Sequence, residues 1–89
     1  MAHYLLFYDF VDDIVERRAP YREEHLALVR RWREDGRIGH AGAIGEPPHG
    51  AAIAFEVDDA AQVEEFAAAD PYVTEGLVTA HRIERWHVV

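Results

Sequence analysis

Residues 38–71, IGHAGAIGEPPHGAAIAFEVDDAAQVEEFAAADP, decide the fold. Ile38 to Ile44 reads as a strand with small residues, Gly39 and Gly42 among them. Gly45-Glu46-Pro47-Pro48-His49-Gly50 is a loop by composition. Ala51 to Val57 is another apolar strand, so two strands follow one another with no helix between them. Asp58 or Asp59 then caps a helix, with Gln62 three residues beyond Asp59 in a capping-box position. That helix ends near Ala69, because Pro71 disfavours helical geometry at Asp70. A short turn of helix is predicted from Pro71 to Gly76.

Upstream, His3 to Phe10 is rich in aromatic and large apolar residues and reads as a strand closed by Asp12 and Asp13. After a charged loop, Pro20 opens a helix that runs to about Asp35, where Gly36 stops it. Downstream, Leu77 to Val89 ends the chain as a long strand. The order is βαββαβ: a four-stranded antiparallel sheet with two helices on one face, the ferredoxin-like α+β arrangement. With 89 residues the chain holds one domain, residues 1–89. Its first strand does not alternate cleanly, since Tyr4, Leu5, Leu6, Phe7, Tyr8 and Phe10 put apolar groups on both sides. That fits a strand central to a small sheet, or a sheet whose second face is covered by another subunit. The small core and the absence of cysteine favour the homodimer.

Seventeen carboxylates face nine basic residues, all of them arginine, for a net charge of −8. A field of that sign repels phosphate backbones and anionic membranes. The arginines read as scattered, with no basic patch, so neither nucleic acid nor membrane is expected as a partner. No apolar run approaches the ~20 residues that span a bilayer. Asp9, Asp12, Asp13 and Glu16 occupy positions that a signal peptide fills with apolar residues. A soluble cytoplasmic protein is the expectation.

The first helix carries the chemical signal. At about 100° per residue, Tyr21, His25, Leu28, Val29 and Trp32 share one stripe. Glu23, Glu24, Arg30, Arg31 and Glu34 fall opposite, and Arg22 and Arg33 lie at one margin of the stripe. His25 therefore aims at the sheet, where an unpaired imidazole costs about 1–3 kcal/mol. It is either a satisfied core histidine or a functional one. The candidate partner is Asp70, in line with the buried stripe Val63, Phe66 and Ala67 of the second helix. Its other role is to cap the turn that follows, and one carboxylate can do both. Asp9 and His40 are further polar groups in apolar strands, open to a bland reading as a strand end and a surface residue.

These residues resemble the YciI-like (YCII-related) family of the dimeric α+β barrel superfamily, nearly end to end. The matching features are the aromatic first strand ending in Asp9, Arg22-x-x-His25-Leu26, Ala41-Gly42, Asp70-Pro71-Tyr72 and Trp86 in the final strand. Ala43 departs from the pattern, where such proteins often carry proline after the glycine. The resemblance implies a dimer of two ferredoxin-like protomers packed sheet on sheet. It also implies a pocket between helices and sheet, with a His–Asp pair that maps onto His25 and Asp70. Some related proteins act on small, often aromatic, ring compounds.

The chain has no cysteine and no serine, and its hydroxyl groups are Thr74, Thr79 and the tyrosines. Acyl-enzyme chemistry of the serine or cysteine type is therefore excluded, and general acid–base work remains. The expected activity is that of a cofactor-independent lyase or isomerase: proton abstraction, then elimination or rearrangement, on a small acidic, phenolic or lactone compound. Arg22 is a candidate to pair with a substrate anion, its other roles being a solvated charge at the helix margin or a bond to Asp9. Asp9, Gly42 and Tyr72 complete the expected ligand site. Six histidines show no ligand spacing, and there is no glycine-rich phosphate loop, so no metal and no bound cofactor are expected. Two other classes stay open: a non-catalytic small-molecule binding module or sensor, and a cofactor-free oxygenase.

Overall fold

The computed structural model describes residues 1–89. Four strands, β1 (Ala2–Phe10), β2 (Ile38–Ile44), β3 (Gly50–Val57) and β4 (Val78–Trp86), form one sheet in the order β2-β3-β1-β4. Every neighbouring pair is antiparallel. Two longer helices, α2 (Arg22–Glu34) and α3 (Ala60–Ala69), pack on one face. This is the ferredoxin-like α+β fold that the sequence predicts, with β2 at its predicted bounds.

The core lies between that helical pair and the sheet. Trp32 of α2 and Phe66 of α3 meet edge to face at 5.3 Å, and each makes a similar contact with Phe55 of β3. Leu6, Tyr8, Ile53 and Val57 complete the sheet side of this cluster. At the start of α3, Asp59 accepts the Gln62 N–H at 3.2 Å. Gln62 Oε1 in turn accepts from Asp58 N–H at 3.4 Å, so the box closes one residue further out than expected.

Two expectations need correction. The charged loop after β1 is largely helical: α1 (Ile14–Arg17) is followed by a 3-10 turn at Ala19–Tyr21, and α2 begins only at Arg22. The cause is Ile14, which is fully buried against Tyr72 and Leu77 and pulls the segment down onto the core. The last strand is also shorter than predicted. Its ladder to β1 ends at the pair His3–Trp86, and His87 to Val89 lie outside the strand.

Strand parity divides β1 between two environments. Leu6 and Tyr8 are buried under the helices. Leu5, Phe7 and Asp9 point to the opposite face, alongside Ala52 and Ala54 of β3 and Trp86 of β4. That face carries half-buried apolar side chains within one chain. No helix is long and apolar enough to cross a membrane.

Gly50 ties the loop before β3 to this arrangement. It is buried, and a Cβ there would press into the carbonyl oxygen of Tyr8. Gly39, by contrast, has open space where a Cβ would stand. Gly50→Ala is therefore expected to destabilise the fold by about 1–3 kcal/mol through overpacking, against a near-neutral Gly39→Ala, in urea unfolding.

Candidate active site

Asp70 is the residue to start from. It stands between α3 and the short helix α4 (Pro71–Thr74), with none of its surface exposed. An uncompensated carboxylate there costs several kcal/mol. Three donors compensate it. Tyr8 Oη donates to Oδ2 at 2.8 Å, His25 Nδ1 donates to Oδ1 at 2.8 Å, and the Tyr72 backbone N–H donates to Oδ1 at 3.0 Å. The last bond caps α4, so Asp70 holds both roles foreseen for it, and one oxygen serves both.

The bond to Asp70 sets the state of His25. A carboxylate accepts and does not donate, so Nδ1 carries a hydrogen, and in the neutral ring Nε2 is the nitrogen with the lone pair. Nε2 has no partner within the chain. The ring is clamped from the side by Tyr72, which stacks on it at 3.9 Å between centroids and 5° between planes. Both rotation and tautomer of the imidazole are therefore fixed by its neighbours.

His25 and Tyr72 stand at the wall of a cavity of about 490 Å³. Its floor is made of small or apolar residues from β2 and β3: Ala41, Gly42, Ala51 and Ile53. Phe10 closes one side, in edge contact with Tyr72 at 6.1 Å. The rim holds four arginines, Arg18, Arg22, Arg30 and Arg33, and no carboxylate lines the cavity. The expected scatter of arginines is thus corrected: folding brings four of the nine to one opening. Arg30, assigned to the helix's far side, joins them.

The two phenols in the site are held protonated. Burial pushes the Tyr8 hydroxyl up, and the charge of Asp70 and its hydrogen bond push the same way. Burial also raises Tyr72, against the opposing pull of Arg22 and Arg18. The Tyr72 hydroxyl is buried beside the Arg22 guanidinium, which lowers its pKa by charge and as a hydrogen-bonding neighbour, although the pair falls short of good hydrogen-bond geometry.

A model of the YCII-related domain matches residues 1–87. The chain belongs to that family. Among solved structures, this YCII-related protein is similar to 5-chloro-2-hydroxyhydroquinone dehydrochlorinase from Burkholderia phenoliruptrix, determined in complex with 2,5-dihydroxybenzoquinone. The identity is 20% and the TM-score 0.81, over 96% of this chain and 93% of that one. An antibiotic biosynthesis monooxygenase is similar at 12% identity and a TM-score of 0.64, covering 100% and 99%. A dimeric ferredoxin-like protein from an uncultured marine organism follows at 17% identity and a TM-score of 0.54, covering 100% and 90%. At such identities the likeness establishes the fold. A comparison with curated proteins gives no match.

Of the residues singled out in the sequence, the structure brings His25, Arg22, Tyr72 and Gly42 to the lining of one cavity, with Asp70 buried behind His25. Asp9 is not among them. Its neighbour Tyr8 faces the helices, so parity sends Asp9 to the opposite side of the sheet, exposed and away from Arg22. Tyr8, counted in the sequence only as an apolar strand residue, contacts Asp70 in its place. No three His, Asp or Glu side chains converge as a metal site would require. His81 approaches Glu64 and His3 approaches Glu56, at 3.5 and 3.4 Å, well apart from the cavity.

These shifts carry a sign. Both phenols have folded pKa values above the ordinary 10.0. The folded chain holds those protons more tightly than the unfolded one. Their contribution to stability is complete below pH 10 and is lost as the pH climbs past it toward the folded values. The chain has no lysine to titrate in the same range. Stability from urea unfolding should fall as the pH rises past about 10, and Tyr8→Phe should flatten that fall while lowering stability at neutral pH.

Proposed function

We propose that this protein is a cofactor-independent lyase or isomerase in which His25 Nε2 is the general base and Asp70 its orienting partner. One observation carries the reading. A histidine with one nitrogen tied to a buried carboxylate presents the other, unpartnered, beside an arginine-rimmed cavity. The YCII-related family and the name of the dehydrochlorinase with the same fold support it.

The substrate is a small, acidic, hydroxylated ring. Nε2 takes a proton from a ring hydroxyl or an activated C–H. The electron pair moves into the ring, and Arg22 and Arg18 stabilise the charge that develops on oxygen. In an elimination, a leaving group departs with the bonding pair of its C–X bond. In an isomerisation, the imidazolium returns its proton at another atom. Either course is redox-neutral, so no electron carrier is needed. Asp70 stabilises the imidazolium between the two steps.

Two substitutions test the assignment. His25→Ala should lower kcat by about 10²–10⁴ on chlorinated hydroquinone substrates, with the circular dichroism spectrum kept. In Asp70→Asn, the Tyr72 N–H should hold the amide oxygen at the Oδ1 position. The His25 tautomer is then retained, visible in ¹⁵N shifts, and the kcat loss reports the missing charge. Product formation unaffected by His25→Ala would overturn the base assignment, and oxygen consumption during turnover would overturn the redox-neutral course.

The working unit is a homodimer joined through the open sheet face. Leu5, Phe7, Ala52, Ala54 and Trp86 give that side an apolar strip, crossed by the Arg82–Glu84 ion pair, and burial of such a strip drives association. Sedimentation should give twice the chain mass. Leu5→Glu, which sets a carboxylate opposite Glu84, should give the single mass with the helical face intact. A wild-type chain that sediments as a monomer would exclude this arrangement.

A further inference from the structure

The arginines of the cavity are spaced for more than a single ring. Arg22, Leu26, Val29 and Arg33 stand at i, i+4, i+7 and i+11 on α2, one row along the helix, and all four line the cavity. The row reads cation, apolar, apolar, cation. At a rise of about 1.5 Å per residue, Arg33 lies about 16 Å along the axis from Arg22 and about 12 Å from His25. A ring held at His25 and Arg22 leaves Arg33 beyond its reach, with Arg30 between the two ends. The cavity, at about 490 Å³, lies within the range that drug-sized ligands fill.

The charge pattern says what the far end is for. Of the five arginines elsewhere, three meet carboxylates, Arg17 with Asp13, Arg37 with Asp35 and Arg82 with Glu84, while Arg31 and Arg85 stand singly, away from the cavity. Arg18, Arg22, Arg30 and Arg33 pair with none, in a chain of seventeen acidic residues. Like charges gathered without counter-charges repel one another, and an anionic ligand relieves that repulsion.

We propose that the cavity selects an elongated substrate with an acidic ring at one end, an apolar middle and a carboxylate at the other. The ring meets His25, Arg22 and Arg18. The middle lies along Leu26 and Val29, over the small residues of β2 and β3. The distal carboxylate is read by Arg30 and Arg33, whose guanidinium groups suit bidentate pairing. The reacting end of this assignment rests on the proposed role of His25, and the distal end stands on the arginine row alone.

The test uses two rigid probes, 4-hydroxybiphenyl and 4′-hydroxybiphenyl-4-carboxylate, with affinities from calorimetry. In the intact protein the carboxylate should bind about tenfold more tightly, the order of a charge-assisted hydrogen bond. Arg30→Gln with Arg33→Gln should reduce that advantage to within about twofold and leave the neutral probe's affinity unchanged. Arg31→Gln, on the same helix but outside the cavity lining, should preserve it. Equal affinities in the intact protein, or an advantage undiminished in the double variant, would overturn the distal site. His25→Ala separates the two proposals. The carboxylate advantage should survive in it whether or not turnover does, so a failure of the base assignment leaves the distal site standing.

Discussion

The fold of this protein turns on a buried carboxylate. Asp70 has no contact with solvent, and its charge is tolerable because three donors from different parts of the chain reach it. Tyr8 comes from the central strand, His25 from the first long helix, and the Tyr72 amide from the turn that Asp70 itself begins. Each donor is also needed by its own element. The Tyr8 hydroxyl is buried and requires an acceptor, His25 sits on the apolar side of α2, and α4 requires a cap. One side chain satisfies all three demands, and the geometry of the proposed catalytic pair follows from meeting them. Loss of the carboxylate would leave the buried Tyr8 hydroxyl, the part-buried His25 ring and a helix end without partners, which is why the conservative Asn is the informative substitution.

The distribution of charge follows a second constraint. A chain with this acidic excess repels anions at long range, so any anion that enters must be favoured locally. The arginines at the cavity mouth provide that short-range attraction. They are held on the helical layer, while the floor beneath them is built from residues too small to obstruct. The opening is thus electropositive at the rim, apolar inside and basic at one nitrogen of His25. A protein of the same composition with its arginines paired would have no such site.

Much of this was legible in the sequence, and what was not has identifiable causes. The bounds of β2, the Asp59 cap and the alignment of His25 with Asp70 rest on local signals: strand composition, a capping pair, a helical period and a proline. The helical turn at Ile14–Arg17 has no such signal, because tertiary burial of Ile14 stabilises it. That turn places Arg18, so Arg18 was missed with it. Arg30 was misplaced because it stands about 80° from the Arg22–Arg33 row, yet its long side chain still reaches the cavity. Asp9 was misassigned and Tyr8 overlooked for one reason, strand parity. Once Leu6 is taken as core, Tyr8 must share its face and needs a buried acceptor, while Asp9 must turn away. The signal was present in residues 6, 8 and 10 and was masked because both faces of β1 are apolar.

That doubled apolarity is itself the last structural consequence. In β1, Phe7 and Tyr8 are adjacent in the chain and point to opposite sides of a sheet one residue thick. Phe7 lies under the guanidinium of Arg82 at 4.3 Å on the open face, while Tyr8 holds Asp70 beneath the helices. The surface available for association and the surface that builds the cavity are thereby carried by alternating residues of one strand. Neither side chain can reach across to the other's layer. A change at Leu5 or Phe7 acts on the cavity only by shifting the β1 backbone, and that backbone is fixed on both edges by antiparallel ladders to β3 and β4. The central position of β1 is what lets one nine-residue strand serve two surfaces without coupling their chemistry.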